Sequence, residues 1–500
     1  MSSTDSAQSS PSASHAAPGG ELWQLVTVPG TRRFDVPPSA EARRRLVRQV
    51  RTLPGGAPVI LSCNALGSRR RCRRFARQAG IELVREYVAI PSLDRPTCYV
   101  EDSRSALRYF FTELLTLPRG GAARSAAVAA IKGIAHSFFP AALVGSAAPT
   151  RIALGRIQTN PTRPAAGRPE PDEPRALLDL PGMQTLVLAL SKDPNGKLTL
   201  LLIPRGSFRP ALAIKVPTTT AAAASIAAER AVLSDLHARL PEAILGSIPR
   251  FEDLGEVRGR SALVTTALPG APMTMRYHAW RHTATPAAVR ADFQAAEAWL
   301  ARFQNASAGP SEPCDMDGGG TEVLRRRFAG DSQLDELLAR LSAIHSRLRT
   351  SSTPRTAVHG DFWFGNLLLV GTEISGVIDW EAGGASGEPV RDLVRFALTY
   401  ALYLDRHSRP GQRVAGHRGL RAGQWGSGVT WAFDGEGWFP DLVRDFVRRG
   451  LARLGADPDC WREAMLAGLA EVAATADHAD FARLHWRLFD RLTERPPTAA

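Results

Sequence analysis

The stretch that most restricts this chain is His359-Gly360-Asp361-Phe362-Trp363-Phe364-Gly365-Asn366, followed after the apolar run Ile374-Ser375-Gly376-Val377-Ile378 by Asp379-Trp380-Glu381. Asp361 and Asn366 stand five residues apart across a tight aromatic loop, so both polar tips can face one cleft. Asp379 comes thirteen residues after Asn366, at the end of a strand pattern. Carboxylate and amide oxygens are hard ligands suited to Mg²⁺, which keeps its other positions for water and phosphate. Phosphoryl transfer asks for a divalent metal between phosphate oxygens, a base near the acceptor hydroxyl, and a cation on the phosphates. The segment supplies the first two. A metal-dependent hydrolase built on His359 and Asp361 is the chemical competitor, but it wants further His or Asp ligands and none lies close in sequence.

The cation is sought upstream. From residue 181 the chain reads as short strands: Gln184–Leu190 and Lys197–Leu202 as a hairpin around Asp193-Pro194-Asn195-Gly196, then Ala211–Val216 and Ser261–Thr266. Ala221–Leu240 is a helix pattern, and beyond Gly270 the periodicity is helical over 286–305, 333–349, 390–404, 440–454, 461–474 and 481–492. A small sheet-rich lobe thus precedes a larger helical one. The chain holds only four lysines, Lys132, Lys192, Lys197 and Lys215, among many arginines. A lysine kept at the centre of Ala213-Ile214-Lys215-Val216 suggests a need for a compact, rotatable ammonium. Lys192 and Lys197 flank the turn of the hairpin, where either could add charge over the phosphates, and read more simply as exposed turn residues.

His359–Leu369 followed by Gly376–Glu381 resembles the bacterial aminoglycoside phosphotransferase and choline kinase family, relatives of the protein kinases, over about residues 181–495. The resemblance implies an α+β, two-lobed protein-kinase-like fold, with a small antiparallel-sheet lobe (181–270) and a helical lobe (271–500). It implies Asp361 as catalytic base, Asn366 and Asp379 as Mg²⁺ ligands, and His359 as a brace behind the loop. Asp392, in Glu388-Pro389-Val390-Arg391-Asp392, would brace the loop and cap a helix. Lys215 would hold nucleotide phosphates, partnered by Glu229 on the next helix. Backbone of a hinge at Val264, Thr266 and Leu268 would meet the base of ATP or GTP. The expected activity is transfer of a γ-phosphoryl group to a hydroxyl of a small molecule. The hairpin lacks the glycine run of protein kinases, as in many members of the family.

Residues 21–150 read as an α/β accessory region. Ala57–Ser62, Glu82–Ile90 and Thr97–Val100 are strand patterns, with a basic helix after the first and a helix over 105–116. Their order is similar to the last strands of class I methyltransferase domains, without the glycine-rich cofactor loop, so a truncated accessory domain is expected rather than methyl transfer. Residues 1–20, rich in Ser, Ala and Pro, read as a disordered tail without a targeting signal. Residues 151–180, with five prolines, read as a linker. No transmembrane segment is expected: the most apolar stretch, 126–147, is broken by Lys132, His136 and Pro140. Five cysteines without metal spacing suit reduced thiols and a cytoplasmic location.

Net charge is +13, and residues 1–180 carry most of it, with 24 Arg and one Lys against 14 acidic residues. Arg69-Arg70-Arg71 with Arg73, Arg74 and Arg77 is the densest run, which a solvated helix face explains and which would also suit an anionic surface or an acidic partner. Near the other end, residues 405–440 join five arginines to Trp425, Trp431 and Trp438 among glycines. That segment reads as a lid over the acceptor or as a surface insertion, and its arginines favour an anionic acceptor over a polycationic one. The alternative to a kinase is a nucleotide-binding scaffold whose basic N-terminal region recruits a partner.

Overall fold

A computed structural model describes residues 30–64, 67–90, 96, 98–115, 126–128, 130–133, 150–159, 180–188, 196–257 and 260–494. The expected tail at 1–20, most of the expected linker, residues 134–147 and the turn with Lys192 lie outside the described residues. The contacts fall into two units, the first drawing on residues up to Ser103 together with 150–188, the second on 104–133, 196–256 and 260–494.

In the first unit, β1 (Arg32–Asp35) runs parallel to β2 (Pro58–Asn64), connected by helix α1 (Ala40–Val50). Helix α2 (Ser68–Ala79) then leads to β3 (Ile81–Ile90), which pairs antiparallel with β4 (Cys98–Glu101). Helix α2 buries Ser68, Cys72, Phe75, Ala76 and Ala79, a stripe at helical spacing that turns its arginines outward. Two of those arginines are engaged: Arg73 donates to Glu86 at 2.8 Å, and Arg69 lies 3.3 Å from Asp102.

Two expectations about boundaries are corrected here. Thr150–Ile157, opening the segment expected to be a linker, is a strand (β5) inserted antiparallel between β2 and β3. Burial on both faces drives it: Ile152, Ala153 and Ile157 are buried, and Arg151, 0% exposed, ion-pairs with Asp102 at 2.6 Å. Met183–Leu188 (β6), expected to open the kinase-like lobe, pairs with β4 and belongs to the first unit, whereas Arg104–Leu114, expected in the accessory region, belongs to the second.

The second unit is two-lobed and α+β. Its small sheet runs β7 (Lys197–Pro204), β8 (Leu212–Pro217), β10 (Arg260–Thr266), β9 (Phe251–Val257). Strand β8 is central: Lys215 faces Thr199 on one side and Leu263 on the other, so it is not an edge-strand residue. After Arg104–Tyr109 (α3), the next long helix is α4 (Thr220–Arg239), capped by the Thr219 hydroxyl accepting from the Ala222 N–H. Its buried stripe is Ala222, Ile226, Glu229, Leu233 and Leu236, which places a carboxylate among apolar residues and obliges it to find a partner.

The larger lobe contains α5 (Pro286–Ala306), α6 (Leu334–Leu348), α7 (Val390–Leu402), α8 (Trp438–Arg453), α9 (Trp461–Thr475) and α10 (Ala479–Thr493), each within two or three residues of its sequence pattern. They share one core with Phe293, Trp299, Phe362, Trp380, Phe396 and Tyr400, all fully buried. A small sheet of β11 (Ala271–Pro272), β13 (Leu367–Val370) and β14 (Glu373–Val377) carries the segment between Asn366 and Asp379, after β12 (Thr356–Val358) has led into His359. No helix among the described residues is long and apolar enough to cross a membrane.

Candidate active site

Loop 359–366 is pinned from behind by the first turn of α7. Asp392, fully buried, accepts from the N–H groups of His359 at 2.7 Å and Gly360 at 2.8 Å. Burial pushes its carboxyl up, partly offset by His359 and those two N–H groups. Gly360 has φ +77°, and a Cβ there would stand 2.0 Å from the Ala382 carbonyl oxygen, so only glycine fits. The His359 ring is 0% exposed: Nδ1 accepts from the Asp361 N–H at 3.2 Å, which leaves Nε2 to donate to the Ile378 carbonyl at 2.9 Å. His359 therefore clamps the loop to the strand that delivers Asp379. With both ring nitrogens engaged it offers no ligand to a hydrolase metal.

Within the loop, Phe362 and Phe364 turn into the core, stacking on Trp299 (centroids 5.3 Å apart) and Tyr277 (4.2 Å). The polar residues Asp361 and Asn366, the latter buried, turn towards each other. Asn366 donates through Nδ2 to the Asp361 carbonyl at 3.0 Å and to its Oδ2 at 3.2 Å. That fixes the amide so that its oxygen points away from Asp361.

Asp379 is one of two described non-glycine residues with positive φ, at +71°. Such a conformation costs on the order of 1 kcal/mol or more and persists where the surroundings hold it. The holder is Lys215, whose Nζ donates to Asp379 Oδ1 at 2.7 Å and to both Glu229 oxygens at 2.6 and 2.7 Å. Glu229 also accepts from the Trp380 N–H at 3.3 Å. Burial alone would lower the Lys215 ammonium, but Asp379 and Glu229 outweigh it and raise it. Burial likewise opposes ionisation of Asp379, yet Lys215 and then Lys197 hold its carboxyl down to about 2.

The sign of the resulting pH dependence follows. A carboxyl depressed in the folded state contributes stability above its unfolded value of about 3.9, and that contribution is lost as pH falls towards about 2. Urea midpoints measured from roughly pH 5 downward are therefore expected to fall more steeply for the wild type than for Asp379→Asn; parallel curves would refute the depressed carboxyl.

Sequence reasoning missed two groups. Lys197, read as an exposed turn residue, is only 11% exposed; it contacts Glu381, which also accepts from Ser225, and lies 4.0 Å from Asp379. Burial lowers its ammonium. Arg395 was not singled out, yet Nε and Nη2 both donate to Asp361 Oδ1, at 2.9 and 2.6 Å. The available signal was its place three residues after Asp392, on the same face of α7.

The expected hinge lies at the end of β10, where Val264 pairs with Ile214 and Thr266 with Leu212. The N–H groups of Thr266 and Ala267 donate to the Arg250 and Ala211 carbonyls, both at 2.9 Å. Leu268 packs over Gly376, whose Cβ, if present, would lie 2.9 Å from the leucine Cβ. Segment 405–440 is packed rather than a free insertion: Val414, Leu420 and Ala422 are buried, Trp438 Nε1 donates to the Gly416 carbonyl at 3.0 Å, and His417 Nε2 meets the Thr283 carbonyl at 2.8 Å.

Comparison with known proteins gives one family match: the profile described as "Phosphotransferase enzyme family" fits residues 205–428. No curated protein matches the chain by sequence. Among solved structures, aminoglycoside phosphotransferase APH(4)-Ia is similar at 13% identity, over 62% of this chain and 93% of that one, with a TM-score of 0.40. Aminoglycoside phosphotransferase APH(3'')-Id from Streptomyces rimosus is similar at 18% identity, over 62% and 93%, TM-score 0.34. Macrolide 2'-phosphotransferase MphH from Brachybacterium faecium is similar at 16%, over 63% and 93%, TM-score 0.35.

Proposed function

We propose, from the premise that residues 205–428 belong to the phosphotransferase enzyme family, that this chain transfers the γ-phosphoryl group of ATP to a hydroxyl of a small-molecule acceptor, with Asp361 as the base. The observation that carries the reading is the convergence of two carboxylates, Glu229 from a helix and Asp379 from a loop 164 residues on, upon the ammonium of Lys215 in a strand. An ordinary surface ion pair needs no such arrangement.

The residues fit Mg²⁺. Asn366 has its amide nitrogen committed to Asp361, which frees its oxygen, and Asp379 stays ionised at any working pH. Two hard oxygens and no soft donor suit that ion. Asn366 and Asp379 would hold it, and it would supply charge stabilisation on the phosphate oxygens. Lys215, kept in place by Glu229, exchanges its contact with Asp379 for the nucleotide phosphates. Leu268 carries the N–H of the hinge that has no partner among the described residues, so it is the donor left to meet the edge of the base. Asp361 accepts the hydroxyl proton as the new bond to phosphorus forms, and the β-phosphate leaves with ADP.

The test is acceptor-dependent ADP release across a panel of sugars, amino sugars, macrolides and hydroxy acids. Turnover is expected to need a divalent ion, to stop with a chelator, and to fall by at least about 10²-fold in Asp379→Asn, the loss of several kcal/mol of charge stabilisation. ADP release that is indifferent to acceptor, chelator and Asp379 would leave a nucleotide-binding scaffold instead.

A further inference from the structure

Arg395 stands on α7 one turn beyond Asp392. Its backbone neighbours Leu393, Val394, Phe396 and Ala397 are buried, while its own side chain keeps 23% exposure. Among the described residues Asp361 is its sole acidic partner. The contact is made by Nε and Nη2 on one carboxylate oxygen, and the other oxygen receives Asn366.

Both carboxylate oxygens of Asp361 are thus engaged, Oδ1 by two guanidinium donors and Oδ2 by Asn366. A guanidinium is always charged, so it gives up one anion best in exchange for another. An acceptor that brings its own anion offers that exchange and uncovers Oδ1 for its hydroxyl.

The surroundings point the same way. Tyr403 packs against Trp363 and Phe364 of the loop (centroids 6.2 and 5.8 Å) and carries Arg406 over its ring at 5.2 Å. His278 and His407 face each other through ring nitrogens 2.9 Å apart. Burial, then His407 and Arg406, hold His278 down at about 4. His485 is also held at about 4, by burial first, with Arg395 contributing. The acidic groups that act on Tyr277 here are both engaged: Asp405 accepts from the Gly423 N–H at 3.2 Å, and Asp292 pairs with Arg276 and His282.

We propose that Arg395 reads an anionic substituent, a carboxylate or a phosphate, on the hydroxyl acceptor, leaving Asp361 for that anion when the acceptor binds. The proposal rests on the phosphotransferase reading for the identity of the ligand as an acceptor. It makes Arg395 a specificity residue and excludes polycationic acceptors.

The test uses the full chain loaded with ADP and Mg²⁺. Calorimetric titrations compare neutral, carboxylate, phosphate and amine forms of glycerol, a pentitol and glucose. At least one anionic form is expected to bind about tenfold or more tighter than its neutral counterpart, as a charge-assisted contact provides, with the amine form weakest. The carboxylate and phosphate arms tell which anion is read. Arg395→Gln should bring the anionic-to-neutral ratio close to one, and Arg395→Lys should keep most of it. If the glutamine variant fails to fold, seen as lost ADP binding, Arg395→Met, which keeps the length of the side chain without its charge, carries the comparison. With ATP in place of ADP, the loss in Arg395→Gln should appear in KM for anionic acceptors. Equal or absent binding of the anionic forms by the wild type overturns the proposal, as does a uniform fall in kcat for every acceptor, which would mark Arg395 as a permanent brace. The phosphotransferase reading is judged separately by acceptor-dependent ADP release. Its absence beside an Arg395-dependent anion preference would sink that reading and keep this assignment of an anion site.

Discussion

Asp361→Asn is expected to lower acceptor-dependent turnover by about 10²–10⁴-fold, the usual contribution of a positioned base, with nucleotide affinity nearly unchanged. The substitution keeps the shape of the side chain and one oxygen for Arg395, which now holds Asp361 at 2.6 and 2.9 Å. It removes the ability to accept the hydroxyl proton. It also turns a new amide towards Asn366 Nδ2, which sits 3.2 Å from Oδ2, so Asn366 must adjust slightly. Nucleotide titration by fluorescence guards against reading that adjustment as loss of the base, because Lys215, Glu229 and Asp379 are untouched. Single-turnover ADP formation within tenfold of the wild type would remove Asp361 from the role of base, whatever the family.

The loop around Asp361 was legible because its geometry is local. Gly360 and Gly365 mark where the backbone turns, and four aromatic and polar residues between them divide by chemistry into inward and outward sets. Lys215 was legible for another reason, as a lysine kept mid-strand in a chain that otherwise uses arginine. Glu229 was legible only through the family resemblance, which asks for a carboxylate on the next helix; the two pair at 2.6 Å. Arg395 was not legible as a neighbour of Asp361, because its contact depends on how α7 is rotated against the loop. Lys197 looked exposed because it borders a turn, yet the strand pairing to Pro217 carries it towards Glu381. Thr150–Ile157 was lost to composition: prolines downstream set the apparent start of a linker, although Arg151 pairs with Asp102 inside the sheet. Segment 405–440 misled in the same way, since its glycines and arginines hid buried Val414, Leu420 and Ala422.

The second large effect should come from Lys215→Met, and it separates stability from chemistry. Removing the ammonium leaves Glu229, 2% exposed, with only the Trp380 N–H at 3.3 Å among the described residues, and frees Asp379 at its left-handed position. Breaking a buried pair from one side costs about 3–5 kcal/mol, so the unfolding transition of the second unit should move down accordingly. Asp379 also loses its main source of depression. The double variant Lys215→Met/Glu229→Leu removes the stranded carboxylate, and most of the stability should return, since replacing both partners by apolar groups is often neutral. Activity should not return, because no cation is left for the phosphates. A cycle of the two single variants and the double variant, followed by urea unfolding and by ADP release, gives both couplings in one set of proteins. Recovery of activity along with stability would show that the pair only supports the fold; failure to recover either would show that Lys215 acts through Asp379 rather than Glu229.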